Sequence, residues 1–200
     1  VKERCGDFLD RLAPMPTYIS MLRGINVGGH KKVAMSQLRE MLAALGFEQV
    51  RTYIQSGNVI FKAAKSNPAD LSVKIEKKIL AEFGFPASVI TRTPEELCEA
   101  IHNSPFVKES RVEPAKVFIA FLSHIPKADA IRNLQALATA SEQLQHSGWE
   151  VYLYYKDGMG RAKLTLNVVE KVLAVTATAR NWNTVNKLYD MATERNPGNT

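Results

Sequence analysis

Acidic residues are missing from four long stretches of this chain. Residues 15–39, 49–69, 158–169 and 171–189 contain no Asp or Glu. They carry Arg23, Lys31, Lys32, Arg39, Arg51, Lys62, Lys65, Arg161, Lys163, Lys171, Arg180 and Lys187, a local charge of +12. The whole chain has a formal charge of +6, so everything else sums to −6. Gly, Asn, Gln, Ser and Thr are concentrated in the same stretches. Brought together in space, these segments would make a basic cleft rich in hydrogen-bond donors, suited to an anion. The shortage of acids there argues against a carboxylate-bound magnesium site and against paired-carboxylate acid–base catalysis.

Cysteine is scarce too. Cys5 and Cys98 form no CxxC pair, which fits a reducing cytosol and no disulfide framework. No apolar run reaches the roughly 18 residues of a membrane span, and residues 1–14 lack the apolar core of a secretory signal. A cytoplasmic protein with no membrane partner is therefore expected. His30, His102, His124 and His146 never fall at i, i+3 or i+4, so no zinc or two-His–carboxylate signature is present. Neither GxxxxGK[ST] nor GxGxxG occurs. The sequence therefore predicts no metal and no cofactor. What remains is an ordinary globular composition, 46% hydrophobic and 23% charged, long enough for one large domain or two small ones. A pI near 9.3 leaves nucleic acid open as a partner.

Residues 17–92 alternate compactly. A strand at 18–23 is followed by a glycine-rich loop and a helix from about Ser36, with Leu38, Met41, Leu42 and Leu45 on one face. Gly46 supplies a left-handed C-terminal cap. Strands at 50–54 and 58–62 are joined tightly by Gln55-Ser56-Gly57. Asn67 is an N-cap before Pro68 at the first helical position, Gly84 ends that helix, and a strand follows at 87–92. The order β-α-β-β-α-β is the ferredoxin-like split arrangement.

Thr93-Pro94-Glu95-Glu96 is a capping box opening a third helix. Beyond a surface connection at 104–114, residues 116–122 read as a strand buried on both faces. A helix near 127–139, a strand at 149–155, a turn at Asp157-Gly158 into 161–164, and helices at 165–173 and 183–193 complete the chain. The fold class is thus α+β, a ferredoxin-like first half (15–92) and a second α/β half (93–195) with C-terminal helices. Residues 1–14 read as an extension and 196–200 as a tail. No sequence repeat is evident.

Three segments carry candidate chemistry. In LRGINVGGHKK (22–32), Gly28 and Gly29 let the backbone approach a ligand, while Arg23, Asn26 and Lys32 supply polar and charged groups. In TYIQSGN (52–58), Gln55, Ser56 and Asn58 offer two amides and a hydroxyl, although such residues also bond their own backbone in turns. In TARNWNT (178–184), Asn181 or Asn183 caps the last helix, whose dipole-positive end, with Thr184 and the fork of Arg180, suits a carboxylate or phosphate. Trp182 reads as a core anchor. Lys163 and Arg161, two residues apart, would share a strand face.

At LRGINVGGHKK, TYIQSGNVIF and TARNWNT the chain resembles the domain-of-unknown-function 1697 family, from about Tyr18 to Met191. The resemblance implies a bacterial, cytoplasmic α+β protein with a ferredoxin-like first half. It implies no activity or catalytic residue. Similar proteins begin near Met15, and Ala179 stands where the family pattern has Thr.

Three functions follow as expectations. The first is binding of a small anionic ligand by the cleft of Arg23, Asn26, Gly28, Gly29, Lys32, Gln55, Ser56, Asn58, Lys163, Arg180, Asn181 and Thr184. The second is RNA binding on the open face of the first sheet, with Tyr18, Tyr53 and Phe61 as stacking platforms but no RNP1 pattern. The third is metal-independent hydrolysis in the manner of acylphosphatase, with Arg23 holding phosphate and Asn58 positioning water, by fold analogy alone.

Overall fold

A computed structural model of the 200-residue chain describes residues 15–26, 31–107 and 112–194. Gly28, Gly29 and His30 of the first loop, residues 1–14 and the tail lie outside the described residues.

The first half runs β1 (Thr17–Leu22), α1 (Met35–Ala43), β2 (Glu48–Tyr53), β3 (Asn58–Lys62), α2 (Pro68–Phe83), β4 (Val89–Arg92) and α3 (Pro94–His102). Its sheet has the order β2-β3-β1-β4, with every neighbouring pair antiparallel. The expected element order and interleaving are therefore present. Local chemistry sets the element ends. Asn67 Oδ1 accepts from Ala69 N at 2.9 Å, and Gly84 closes α2 at φ +74°. The Thr93–Glu96 capping box is formed in both directions. Gly46 sits beyond α1 at φ +82°. These contacts satisfy backbone groups that a helix end leaves orphaned.

The second half runs β5 (Val117–Leu122), α4 (Ala128–Gln135), β6 (Glu142–Ser147), β7 (Glu150–Tyr155), α5 (Leu166–Leu173), β8 (Ala177–Asn181) and α6 (Trp182–Thr193). Its sheet has the order β6-β7-β5-β8, again antiparallel throughout. Element for element this is the first half over again. The chain is two topological copies, each a four-stranded sheet followed by one further helix.

Two strands were not read from the sequence. β6 has one apolar side chain, Leu144, that packs inward, so its polar alternation carries little signal. β8 is built largely of Ala and Thr, and its sequence reads as no more than the approach to the last helix. The strand expected at 161–164 is absent. Met159–Arg161 forms a short 3-10 turn, and Lys163 and Leu164 donate their N–H groups to the buried Glu142 carboxylate instead of a ladder. Arg161 and Lys163 therefore share no strand face. The helix expected at 127–139 is shorter, Ala128–Gln135.

Three apolar clusters make successive layers. Tyr18, Leu22, Val59 and Phe61 pack under α1 and α2. Ala120, Leu122, Val151 and Leu153 pack under α4 and α5. Between the sheets lie Ile19, Met21, Ile60, Ile119, Phe121 and Tyr152 with Leu97 of α3 and Val185 and Leu188 of α6. Alternate residues of β1 and β5 thus enter different cores, as strands buried on both faces must. Trp182 packs against the middle layer, as expected of an anchor. Tyr18 and Phe61 are 2% and 1% exposed on the helix-covered face, so they offer no stacking surface.

The two copies contact each other reciprocally. Arg180 lies opposite Ile119 in β8, and Arg92 lies opposite Ile19 in β4. Arg180 Nη2 donates to Leu22 O at 2.7 Å, and Arg92 Nη2 donates to Leu122 O at 2.8 Å. Each copy's last-strand arginine caps the end of the other's first strand. Such an exchange of i-to-j for j-to-i contacts is the mark of an approximate twofold relation.

Candidate functional site

The first reciprocal arginine lies in a cleft of about 310 Å3 lined by Leu22, Arg23, Gly24, Ile25, Ser56, Leu166, Thr178, Ala179, Arg180, Asn181 and Thr184. All three segments singled out in the sequence meet there. β1 delivers Arg23 and Gly24, the β2–β3 turn delivers Ser56, and β8 with the start of α6 delivers Arg180, Asn181 and Thr184.

Arg180 is 9% exposed and every one of its five N–H donors is used. Nε donates to Asn58 Oδ1 at 2.5 Å. Nη1 donates to Thr178 Oγ1 and Ala179 O, both at 2.8 Å. Nη2 donates to Leu22 O and to Ser56 O at 3.2 Å. The guanidinium is thus a clamp joining both copies and gives no bidentate fork to a ligand. Its acceptors are all neutral, and among the described residues no carboxylate offsets its charge. Burial lowers its pKa to about 10, still far enough above neutrality to keep it charged. A buried cation without a counter-ion therefore floors the cleft.

Asn58 is fully buried. Its carbonyl takes Arg180, and its amide donates to Tyr53 O at 3.2 Å and Ser56 Oγ at 2.9 Å. It supports Arg180 and does not face the cleft. Asn26, at φ +56°, accepts from Val33 N and donates to Val33 O and Gln55 O, so its side chain is spent on backbone groups. The Gln55 side chain is exposed and lies outside the lining, as do the exposed Lys32 and Lys163. Asn181 is the N-cap of α6, accepting from Asn183 N and donating to Ala115 O. Gly28 and Gly29 lie outside the described residues.

Arg23 bonds Asn167 Oδ1 at 2.7 Å and pairs with Glu170 Oε2 at 2.5 Å, while its Nε is buried without a partner. Glu170 had not been singled out. It is the one acid separating the third and fourth acid-free stretches, and that isolation was the available signal. Its other oxygen accepts from Ala177 N at 2.8 Å, which fixes it beside the cleft.

The second copy has the equivalent constellation with one exchange of charge. Phe121 lies opposite Glu150 as Met21 lies opposite Asn58, so a carboxylate stands where the first copy has an amide. Arg92 Nε lies 3.7 Å from Glu150 Oε1, and Arg92 also donates to Thr91 O. Burial raises the Glu150 carboxyl to about 7 against the attraction of Arg92, and burial likewise lowers Arg92. Both shifts point the same way: desolvation outweighs the pairing.

The family model described as "Protein of unknown function (DUF1697)" matches residues 15–152. The chain belongs to this family. A solved structure, that of a conserved bacterial protein from Streptococcus pneumoniae, is similar to this chain at 27% identity with a TM-score of 0.72. The similarity covers 90% of this chain and 99% of the other. No curated protein matches. The α+β class with two antiparallel sheets is thus common to this chain and its structural relative. Among the described residues no helix is long and apolar enough to cross a membrane, and no cluster of His, Cys, Asp and Glu is arranged to hold a metal ion.

Proposed function

We propose that this protein binds a small phosphate- or carboxylate-bearing ligand in the cleft between the end of β1 and the start of α6. The observation that carries this reading is the Arg180 guanidinium, buried without a counter-ion beneath the cleft. A buried charge that lacks a partner costs several kcal/mol, and an anion above it recovers part of that cost through space. Direct hydrogen bonds would come from Thr184 and Ser56, which line the cleft, and from Arg23 once it turns from Glu170. The N-terminus of α6 adds a favourable dipole.

Hydrolysis in the manner of acylphosphatase draws less support, because Asn58 is buried and fully engaged under Arg180. RNA binding through Tyr18, Tyr53 and Phe61 also draws less support, since Tyr18 and Phe61 are enclosed by core and Tyr53 packs half-buried against the layer between the sheets. The test is thermal unfolding with inorganic phosphate, sulfate and acetate against chloride at matched ionic strength. Ligand at a hundredfold excess over Kd stabilises by about 2.7 kcal/mol. A saturable shift with one of these anions, reduced in Thr184→Val and Arg23→Met, is expected. Equal melting in all four salts would remove the proposal.

A further inference from the structure

The second copy has a cavity of its own, about 470 Å3, in the position that the approximate twofold assigns to the anion cleft. The volume falls within the roughly 300–1,000 Å3 typical of small-molecule sites. Arg92 lines it as Arg180 lines the first cleft, but the two arginines differ in what they have left to give. Arg180 has no N–H to spare. Arg92 is 8% exposed; its Nη1 donates once, to Thr91 O at 3.1 Å, and its Nη2 once, to Leu122 O at 2.8 Å. One N–H on each of these nitrogens has no partner among the described residues. A substitution between the copies explains part of the difference. Ile90 lies opposite Met21 as Thr178 lies opposite Phe121, so an apolar side chain stands where Thr178 Oγ1 accepts from Arg180 Nη1.

The charge of this guanidinium is only partly offset. Glu150 Oε1 lies 3.7 Å from Arg92 Nε, but burial raises that carboxyl to about 7, so at neutral pH it carries about half a charge. Two further acids line the cavity, and both serve the free edge of β4. Glu76 Oε1 accepts from Val89 N at 2.7 Å and Glu96 Oε2 from Thr93 N at 2.8 Å. Those N–H groups lie four residues apart on extended chain, about 13 Å. Glu76 is therefore at the far end of the strand, while Glu96 attracts Arg92 through space.

The remaining wall is apolar, with Pro68, Val73, Ile90 and Trp149. Trp149 replaces Gly57: Leu122 N donates to Trp149 O as Leu22 N donates to Gly57 O. Trp149 is 45% exposed, and the Arg92 guanidinium sits 5.5 Å from its ring centroid. A ligand held by the guanidinium therefore brings its body against the indole. Spare N–H donors on a buried cation favour a carboxylate, and the open ring beside them favours a flat apolar body. We propose that this cavity binds a small aromatic carboxylate, its carboxylate on the two uncommitted N–H groups of Arg92 and its ring beside Trp149 and Val73. The cavity shares no lining residue with the anion cleft, so the two readings stand or fall independently.

The experiment compares phenylacetate with two probes that each lack one half of it, 2-phenylethanol without the charge and acetate without the ring. Binding is read from the indole N–H resonance of Trp149 in the full chain, assigned with Trp149→Phe. Phenylacetate is expected to shift that resonance saturably at millimolar or lower concentration, with both other probes at least tenfold weaker. Arg92→Lys keeps the charge and loses the fork, and is expected to weaken phenylacetate at least tenfold. Two milder variants decide the matter even if that one does not fold. Glu96→Gln keeps the acceptor for Thr93 N and removes a competing charge, so phenylacetate should bind severalfold tighter. Val73→Glu, on an exposed position of α2, adds a negative charge to the wall and should weaken it severalfold. A Trp149 resonance indifferent to phenylacetate overturns the proposal. So does either partial probe binding as tightly as phenylacetate, or phenylacetate binding unaltered in both Glu96→Gln and Val73→Glu.

Discussion

Replacing Glu150 with Gln turns the Arg92 constellation into a near copy of the Arg180 one, where an amide already supports a buried guanidinium. The energetic consequence can be worked out from the carboxyl group itself. Its pKa in the fold is raised to about 7 from an ordinary 4.5, because burial outweighs the attraction of Arg92. The folded chain therefore holds a proton that the unfolded chain releases between those values. Stability from this group is complete below pH 4.5 and is lost as pH rises through 7. At about 1.4 kcal/mol per pH unit, the gap corresponds to a loss on the order of 3 kcal/mol. Gln carries no titrating proton and keeps an acceptor for Arg92 Nε. The stability of Glu150→Gln relative to the parent should therefore grow by 2–3 kcal/mol, about the size of that loss, between pH 4 and pH 8. Guanidinium chloride unfolding of both proteins at several pH values measures it. A difference that stays flat, or that shrinks as pH rises, would mean that attraction to Arg92 exceeds the desolvation cost.

Further substitutions test other parts of the structure. Gly57→Ala should cost about 2–4 kcal/mol, from left-handed strain and overpacking together. Gly57 has φ +73°, and an added Cβ would meet Leu22 Cβ at 2.7 Å and Ile25 Cδ1 at 2.8 Å; denaturant unfolding reads the loss. Burial pushes the Glu142 carboxyl up, but hydrogen bonds from Leu164 N, Thr139 Oγ1 and Lys163 N bring it below its ordinary value. Its contribution is therefore present above pH 4.5 and lost as pH falls, and Glu142→Gln should cost about 1–2 kcal/mol at pH 7 and little at pH 3. Glu170→Gln keeps the acceptor for Ala177 N but uncouples Arg23. In phosphate titrations followed by calorimetry it should tighten binding about tenfold, or about 1.4 kcal/mol; unchanged or weaker binding would exclude Arg23 as a ligand donor.

Short-range chemistry made much of the first half legible. Asn67, Pro68 and Gly84 bracket α2, and Thr93 with Glu96 opens α3, because a cap is decided by neighbours within a few residues. The β5 run was readable because both of its faces are apolar. β6 and β8 were not, since each depends on a partner strand for its pairing and has little pattern of its own. The duplication was hidden for a related reason. Leu22 and Leu122 lie 100 positions apart, Asn58 and Glu150 92, and Arg92 and Arg180 88, so loop lengths break any fixed period.

Parts of all four acid-free stretches line the cleft, but of their twelve basic residues only Arg23 and Arg180 do. They did not reveal what each side chain does on arrival. Arg180 and Asn58, 122 positions apart, spend their hydrogen bonds on each other and on Leu22, Ser56 and Tyr53. Glu170 comes from a helix to meet Arg23. The amino-acid order alone determined the caps, the buried strands and the distribution of charge, all properties of near neighbours. Only packing one copy against the other decided which charges are cancelled and which arginine stays buried without a counter-ion, because those contacts join residues that are remote until the sheets form.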